Sequence, residues 1–217
     1  MPMILFLADN HYGKSPGRNL YESLCNDFDF DFFEDDLNPL CNAITDYSLL
    51  ILNLIPDTPG SAKPDANMTR NLKIYLESGK PLLLLHGSSA TLPEEEWWRD
   101  LVGLRWVRGD DPWHVDASTH PNDPFRVRKT KNSHALCERL TEFDADDELY
   151  INLELTSPIL TLMESDWNGR SWPQCYVKST VWGGKLCSFI PGHSKRVVKS
   201  NAVTHNVGEL IKWCLEK

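Results

Sequence analysis

His86, Glu148 and His193 combine two imidazoles with a carboxylate, the residue types that general acid–base chemistry uses near neutral pH. The same three side chains can hold a divalent metal such as zinc, because two histidines and a carboxylate leave coordination positions open for water or substrate. Either use fits the residue types, and either requires residues far apart in the chain to meet. Asp9 and His11, in the run Asp9-Asn10-His11, are candidate substrate-binding groups, as are Gly87, Ser88 and Tyr150. Gly87-Ser88-Ser89-Ala90 carries little side chain, so a ligand can come close to the backbone and meet N–H groups or hydroxyls. Each residue also has a plainer use. His86 suits a hydrogen-bonded core position, Glu148 is one acid among Asp144, Asp146 and Asp147, and His193 follows the turn residues Pro191-Gly192. His114, His120 and His134 read as turn or packing residues, and Trp113 and Trp182 as candidates to line a cleft.

The elements that must position these groups are short apolar runs. Pro81-Leu82-Leu83-Leu84-Leu85-His86 is a central strand, bounded by Gly79 and Gly87. A run so short and so continuously apolar fits a strand buried on both faces in a parallel sheet sheathed by helices, where ligands bind beyond the carboxyl ends. Residues 3–8 form a first buried strand that delivers Asp9 and His11 to the same rim as His86. Leu20, Tyr21, Leu24 and Cys25 repeat at helical spacing. Residues 27–32 alternate aspartate with phenylalanine, which predicts a strand at the sheet edge, covered on one face. Residues 47–53 form another buried strand after a short helix within 37–45, and 56–64 a loop. Met68, Leu72, Tyr75 and Leu76 mark a helix stopped by Gly79. Strand and helix in turn predict a flavodoxin-like, doubly wound, mostly parallel α/β sheet.

Past residue 90 the pattern loosens. Residues 94–102 suit a helix with acids in its first turn, and 106–128 a β-rich insertion packed near the active rim. Residues 134–140 give one or two helical turns, 144–150 an acidic loop entering a strand, and 158–163 a strand. Tyr176-Val177 and residues 185–190 form a hairpin around Gly183-Gly184, and Val203, Val207, Leu210, Ile211 and Cys214 define a closing helix.

At 217 residues the chain suits one domain over 1–217. Its 22 basic residues against 31 acidic ones give a net charge of −9, which argues against nucleic acid or anionic lipid as partners. The expected partner is a small molecule, with self-association into a homo-oligomer compatible. Six cysteines without Cys-x-x-Cys spacing predict reduced, structural thiols in a cytoplasmic protein. The apolar start is too short for a signal-peptide core, and no stretch approaches the length of a membrane span. No dinucleotide or P-loop glycine motif follows a strand.

Several landmarks in order resemble the ThuA-like (trehalose utilisation) family, whose fold is related to class I glutamine amidotransferases. They are Leu85-His86 followed by Gly87-Ser88-Ser89-Ala90-Thr91, Trp97-Trp98 leading into Leu101-Val102-Gly103, the turn at His134-Ala135, Asp147-Glu148-Leu149-Tyr150, and the strand from Gly184 ending in Pro191-Gly192-His193. The chain departs from the family at Asp9-Asn10-His11-Tyr12-Gly13, where three glycines are usual, and at Ala135, where proline is expected. The resemblance implies an amidotransferase-like fold and a small sugar or keto-sugar ligand. In amidotransferases of this fold a nucleophilic cysteine follows the central strand. Here His86 stands near that place with no cysteine nearby, so ammonia release from glutamine through a thioester is not expected. Ser88 and Ser89 lack a Gly-x-Ser-x-Gly setting for a serine nucleophile. Two functions follow: an enzyme on a sugar derivative, or a non-catalytic sugar-binding or scaffolding module.

Overall fold

The computed structural model describes residues 2–55 and 62–216, so most of the loop expected over 56–64 lies outside the described residues. In chain order the elements are β1 (Met3–Ala8), α1 (Pro16–Leu24), β2 (Asp29–Glu34), β3 (Leu49–Asn53), α2 (Ala66–Glu77), β4 (Leu82–Leu85), α3 (Glu96–Val102), β5 (Leu104–Arg105) and β6 (Phe125–Lys129). They continue with α4 (Ala135–Arg139), β7 (Phe143–Ala145), β8 (Glu154–Leu155), β9 (Leu160–Trp167), β10 (Arg170–Ser179), β11 (Lys185–Phe189), α5 (Lys195–Val198) and α6 (Asn201–Leu215). One sheet runs in the order β2-β1-β3-β4-β11-β10-β9-β6-β7, and β5 pairs with β8 apart from it. From β2 to β11 every neighbouring pair is parallel. From β11 outward through β10, β9, β6 and β7 every pair is antiparallel.

The apolar runs become central strands because both their faces are covered. Along β1, Ile4, Phe6 and Ala8 join the core with Leu20 and Leu24 of α1 and Val203, Val207 and Leu210 of α6. Leu5 and Leu7 point the other way, into a core with Leu72 and Leu76 of α2 and Trp98 and Leu101 of α3. The same alternation along β4 divides Leu83 and Leu85 from Leu82 and Leu84. This is the doubly wound, flavodoxin-like α/β arrangement. As the alternating aspartates and phenylalanines indicate, β2 lies at the edge. Phe30 and Phe32 cover Phe6, and Tyr21 stacks on Phe32 at 4.5 Å.

Three expectations change in detail. The short helix within 37–45 is a single 3-10 turn, Asn38–Cys41, with Pro39 in its first turn and an end at Asn42, whose backbone is extended. The acidic stretch 144–150 does not enter a strand. Its start belongs to β7, and after Ala145 the chain is irregular until the isolated bridge between Thr119 and Ile151. The insertion over 106–128 packs at the rim but is strand only at its end: β6 joins the sheet between β9 and β7, and the irregular segment from Trp106 to His120 lines the cavity over the rim. All six cysteines are free, four of them buried, and no described helix is long and apolar enough to cross a membrane.

Candidate functional site

Three histidines leave the carboxyl ends of parallel strands: His11 after β1, His86 after β4 and His193 after β11. His86 takes φ = 53° and His11 φ = 44°, left-handed conformations that residues other than glycine rarely adopt and that cluster at functional sites. The His86 N–H still donates to the Phe189 carbonyl at 2.9 Å, so the β4–β11 pairing anchors the turned residue. His193 is held differently. The Asp147 carboxylate accepts from the N–H groups of Gly192 (2.7 Å), His193 (3.1 Å) and Ser194 (2.9 Å), clamping the turn after β11. Gly87 is required for space, because a Cβ there would stand 2.4 Å from Ile55 Cδ1 and 3.2 Å from the Tyr150 hydroxyl.

The three rings form a tight group. One donor atom from each lies within 4.8 Å of those of the other two, and His11 Nε2 is 2.9 Å from His193 Nδ1. Glu148 closes the group, its Oε2 lying 3.3 Å from His193 Nδ1 and 3.6 Å from His86 Nε2. Hydrogen bonds fix the proton on His86: Nδ1 donates to the Ile190 carbonyl at 3.1 Å, and Nε2 accepts from the Tyr150 hydroxyl at 3.0 Å. The lone pair of His86 Nε2 is therefore taken by the Tyr150 hydroxyl, with Glu148 Oε2 beyond it. Lys14 donates to His193 Nε2, so the single N–H proton of that ring sits on Nδ1 and points at His11 Nε2.

Burial keeps the imidazoles neutral. It pulls His11 down to about 4, helped by the charges of Lys14 and Arg108. His193 falls to about 3 through burial and then through His11, Lys14 and His120. His86 lies well below its ordinary value, first through burial and then through His11 and His193. Burial raises the Glu148 carboxyl above its usual range, against the opposing pull of His120. Near neutral pH the site thus gathers three neutral imidazoles beside a carboxyl displaced toward neutrality.

A cavity of about 280 Å³ opens over the group, lined by His11, His193, Glu148 and Tyr150 on one side and by Trp106, Arg108 and His120 on the other. His120 Nδ1 lies 3.7 Å from Glu148 Oε1, so it is a wall residue rather than a packing one. Lys14, Trp106, Arg108 and His120 carry no signal in the sequence beyond residue type, since none follows an apolar run, and Asp147 is marked only by the landmark it shares with Glu148 and Tyr150. Other candidates fall behind the wall. Ser88 is fully buried; its Oγ accepts from the Leu54 N–H at 2.9 Å and lies 2.6 and 2.8 Å from the carbonyls of Leu85 and Leu52, so it ties β3 to β4 instead of facing a ligand. Gly87 sits beneath Ile55 and Tyr150, and Asp9 is buried behind His11, accepting from the Ile55 N–H at 2.6 Å. Trp113 lies under Arg99 and Arg105, and Trp182 lines a separate cavity with Trp97.

The residues fit a divalent metal on two observations. His86 already donates its outward N–H to a backbone carbonyl, the outer contact that metal-ligating histidines make. Behind His11, Nδ1 and Asp9 Oδ1 are both buried without a hydrogen-bond partner, 4.0 Å apart. A small closure would join them as the carboxylate–histidine pair that supports a ligating imidazole.

The sequence matches the ThuA family, described as trehalose utilisation, over residues 10–214, and the chain belongs to that family. No curated protein matches it. Among solved structures, a ThuA-like protein from Parabacteroides merdae superposes with a TM-score of 0.80 at 15% identity, over 98% of this chain and 89% of that one. A ThuA-like protein from Bacteroides uniformis gives 0.75 at 11% identity, over 99% and 91%. A glutamine amidotransferase from Thermotoga maritima gives 0.58 at 11% identity, over 99% and 98%. At these identities the likeness establishes the fold, the amidotransferase-like form of the flavodoxin-like sheet.

Proposed function

We propose that this protein is an enzyme acting on a small sugar or keto-sugar derivative, with His11, His86 and His193 holding a divalent metal such as zinc and Glu148 moving a proton. The observation that carries this reading is the convergence of three neutral imidazoles and Glu148 on one cavity wall. The sugar assignment is supported by membership of a family described by trehalose utilisation. A bound metal would polarise a substrate oxygen or lower the pKa of water at the site. The chain's own residues do the rest. The Ile190 carbonyl fixes the orientation of His86, from whose Nε2 the Tyr150 hydroxyl would have to turn away, Asp147 fixes the turn that carries His193, and Glu148, facing both rings, accepts or returns the proton at its Oε2. His193 would hold the metal only in place of a ring proton, and Lys14, exposed at the rim, is the group beside its Nε2. The thioester route of the amidotransferases has no support, because the position after β4 is His86 and the buried thiol of Cys187 lies within the sheet.

The test is metal content of the purified protein, followed by a sugar panel in thermal shift with and without chelator. We expect stoichiometric metal, lost in His86→Ala while the circular dichroism spectrum is kept, and ligand shifts that vanish with chelator. A metal-free wild type whose sugar response survives both chelator and His86→Ala would overturn the assignment.

A further inference from the structure

Away from the histidines, at the amino ends of β4 and β11, the turn between β10 and β11 borders a cavity of about 210 Å³. The turn is pinned. The Thr180 N–H donates to the Gly184 carbonyl at 2.8 Å, and Thr180 Oγ1 accepts from the Gly184 N–H at 3.0 Å. Held this way, the turn keeps Val181 90% exposed and presents Trp182 to the cavity. Trp97 and Leu101 of α3 supply the remaining apolar wall, and Trp97 is fixed by its indole N–H, which donates to Glu95 Oε2 at 2.7 Å. An apolar cavity of about 150 Å³ is enough for a benzene ring, so this one has room for a single ring with a short side arm.

The polar groups on the walls define the charge of what would fill it. Lys178 is half-buried, and its ammonium donates to Ser157 Oγ at 2.5 Å and to the Asp100 carbonyl at 3.1 Å, the second contact capping the last turn of α3. An ammonium has three N–H groups. The third has no partner among the described residues, and the ammonium forms no ion pair with them. Burial accordingly pulls the Lys178 amine below its ordinary value, against the opposing charge of Asp100. The Trp182 indole N–H is a second donor without a partner among the described residues. Two unspent donors, one of them charged, suit an anionic acceptor. Asp100 lines the cavity as well, but it is exposed and its carboxylate is solvated, so it opposes an anion only weakly.

We propose that this cavity is a second binding site, for a small aromatic carboxylate whose ring lies against Trp97 and Trp182 and whose carboxylate accepts from Lys178 Nζ and the Trp182 indole N–H. It stands at the end of the sheet opposite His86 and His193 and does not depend on what they bind.

Titration of the nitrogen-15-labelled full chain with phenylacetate, followed through the indole N–H resonances of its eight tryptophans, tests the assignment. The Trp182 resonance, assigned by its loss in Trp182→Phe, moves most. Phenylacetamide, the same shape without the charge, binds about tenfold more weakly, the size of one charge-assisted hydrogen bond. Lys178→Met abolishes that difference, Trp182→Ala weakens both ligands by roughly fivefold, and His86→Ala changes neither. Trp182 stands on a surface turn, so Trp182→Ala, its fold checked by circular dichroism, decides the matter should Lys178→Met fail to fold. Equal binding of acid and amide overturns the proposal. So does tighter binding of phenylalanine, whose ammonium would then be meeting Asp100, and so do indole resonances that stay still.

Discussion

The clustered histidines all come from the parallel half of the sheet, after β1, β4 and β11, whereas the opposite wall of the cavity, Trp106, Arg108 and His120, comes from the long connection between β5 and β6. In the parallel half, neighbouring strands end side by side, and one left-handed residue at each of β1 and β4 turns its imidazole toward the others. Position there follows from the spacing of the strands. The connecting segment has no such frame, and it is fixed by buried charge instead. Arg105, 1% exposed, pairs with Asp111 at 2.5 Å and donates through Nε to Glu154 at 2.8 Å, while Trp113 lies across its guanidinium at 4.9 Å. Its Nη2 is 2.7 Å from the same Glu154 oxygen, an ionic contact without hydrogen-bond alignment. Two modes of positioning meet at one site, and they fail differently.

The largest break falls on the second mode. Arg105→Met leaves the Asp111 carboxylate, 2% exposed, with the Trp113 and Val115 N–H groups but without its cation, and the loss of one partner from such a pair costs about 3–5 kcal/mol. For a chain of this size that lowers the thermal midpoint by about 10 °C or more. The acid limb of the stability profile checks the cause. Burial works against ionised Asp111 and Glu154, but hydrogen bonds outweigh it, from Arg105 and the Val115 and Trp113 N–H groups for Asp111 and from Arg99 and Arg105 for Glu154. Both carboxyls therefore lie below their ordinary values of 3.8 and 4.5. Groups depressed in this way stabilise fully above those values and lose the contribution as pH falls through their folded values. Urea midpoints measured from pH 7 downward should drop below about pH 4 in the wild type and drop less in Arg105→Met. Parallel acid limbs in the two proteins would remove the buried network from the account.

Gly87→Ala probes the junction of the two modes. The added methyl meets Ile55, at 2.4 Å from Cδ1 and 2.9 Å from Cγ1, and crowds the hydroxyl that orients His86. Overpacking of this kind costs about 1–3 kcal/mol, read as a fall in denaturant midpoint at constant slope. Because Tyr150 is pushed as well, any ligand response should fall by more than the stability loss accounts for. An unchanged midpoint would show that Ile55 yields freely.

The same contrast explains what could be read from the sequence. Pro81 to His86 announced itself because four leucines can sit together only in a strand covered on both faces, and the residue after such a strand must lie on the rim. His11 and His193 follow from the same logic after Ala8 and Ile190. Ser88 misled because small polar residues after a strand serve equally to bond the strand ends, which is what its hydroxyl does. Trp106 and His120 were not legible, nor was the clamping role of Asp147. They sit in segments with no periodic pattern, and a lone tryptophan between turns has the same sequence signature whether it faces a cavity, as Trp106 does, or covers an arginine, as Trp113 does.

Arg126 supplies the smallest expected effect and the sharpest control. It lies on β6 in the antiparallel half of the main sheet, and like Arg105 it meets two acids, Glu142 and Asp144, each at 3.1 Å. The geometry on paper rivals that of Arg105, but the Arg126 side chain is 55% exposed and Asp144 is 79% exposed. In that setting water already solvates both charges, and the entropy of holding long side chains still offsets much of what attraction remains. Arg126→Ala should therefore leave the thermal midpoint unchanged within error, and raising the salt concentration should not separate it from the wild type. If Arg126→Ala instead destabilised as strongly as Arg105→Met, ion pairs would count here by number rather than by burial, and the contrast between a sheet-positioned cluster and a wall pinned by buried charge would lose its physical basis.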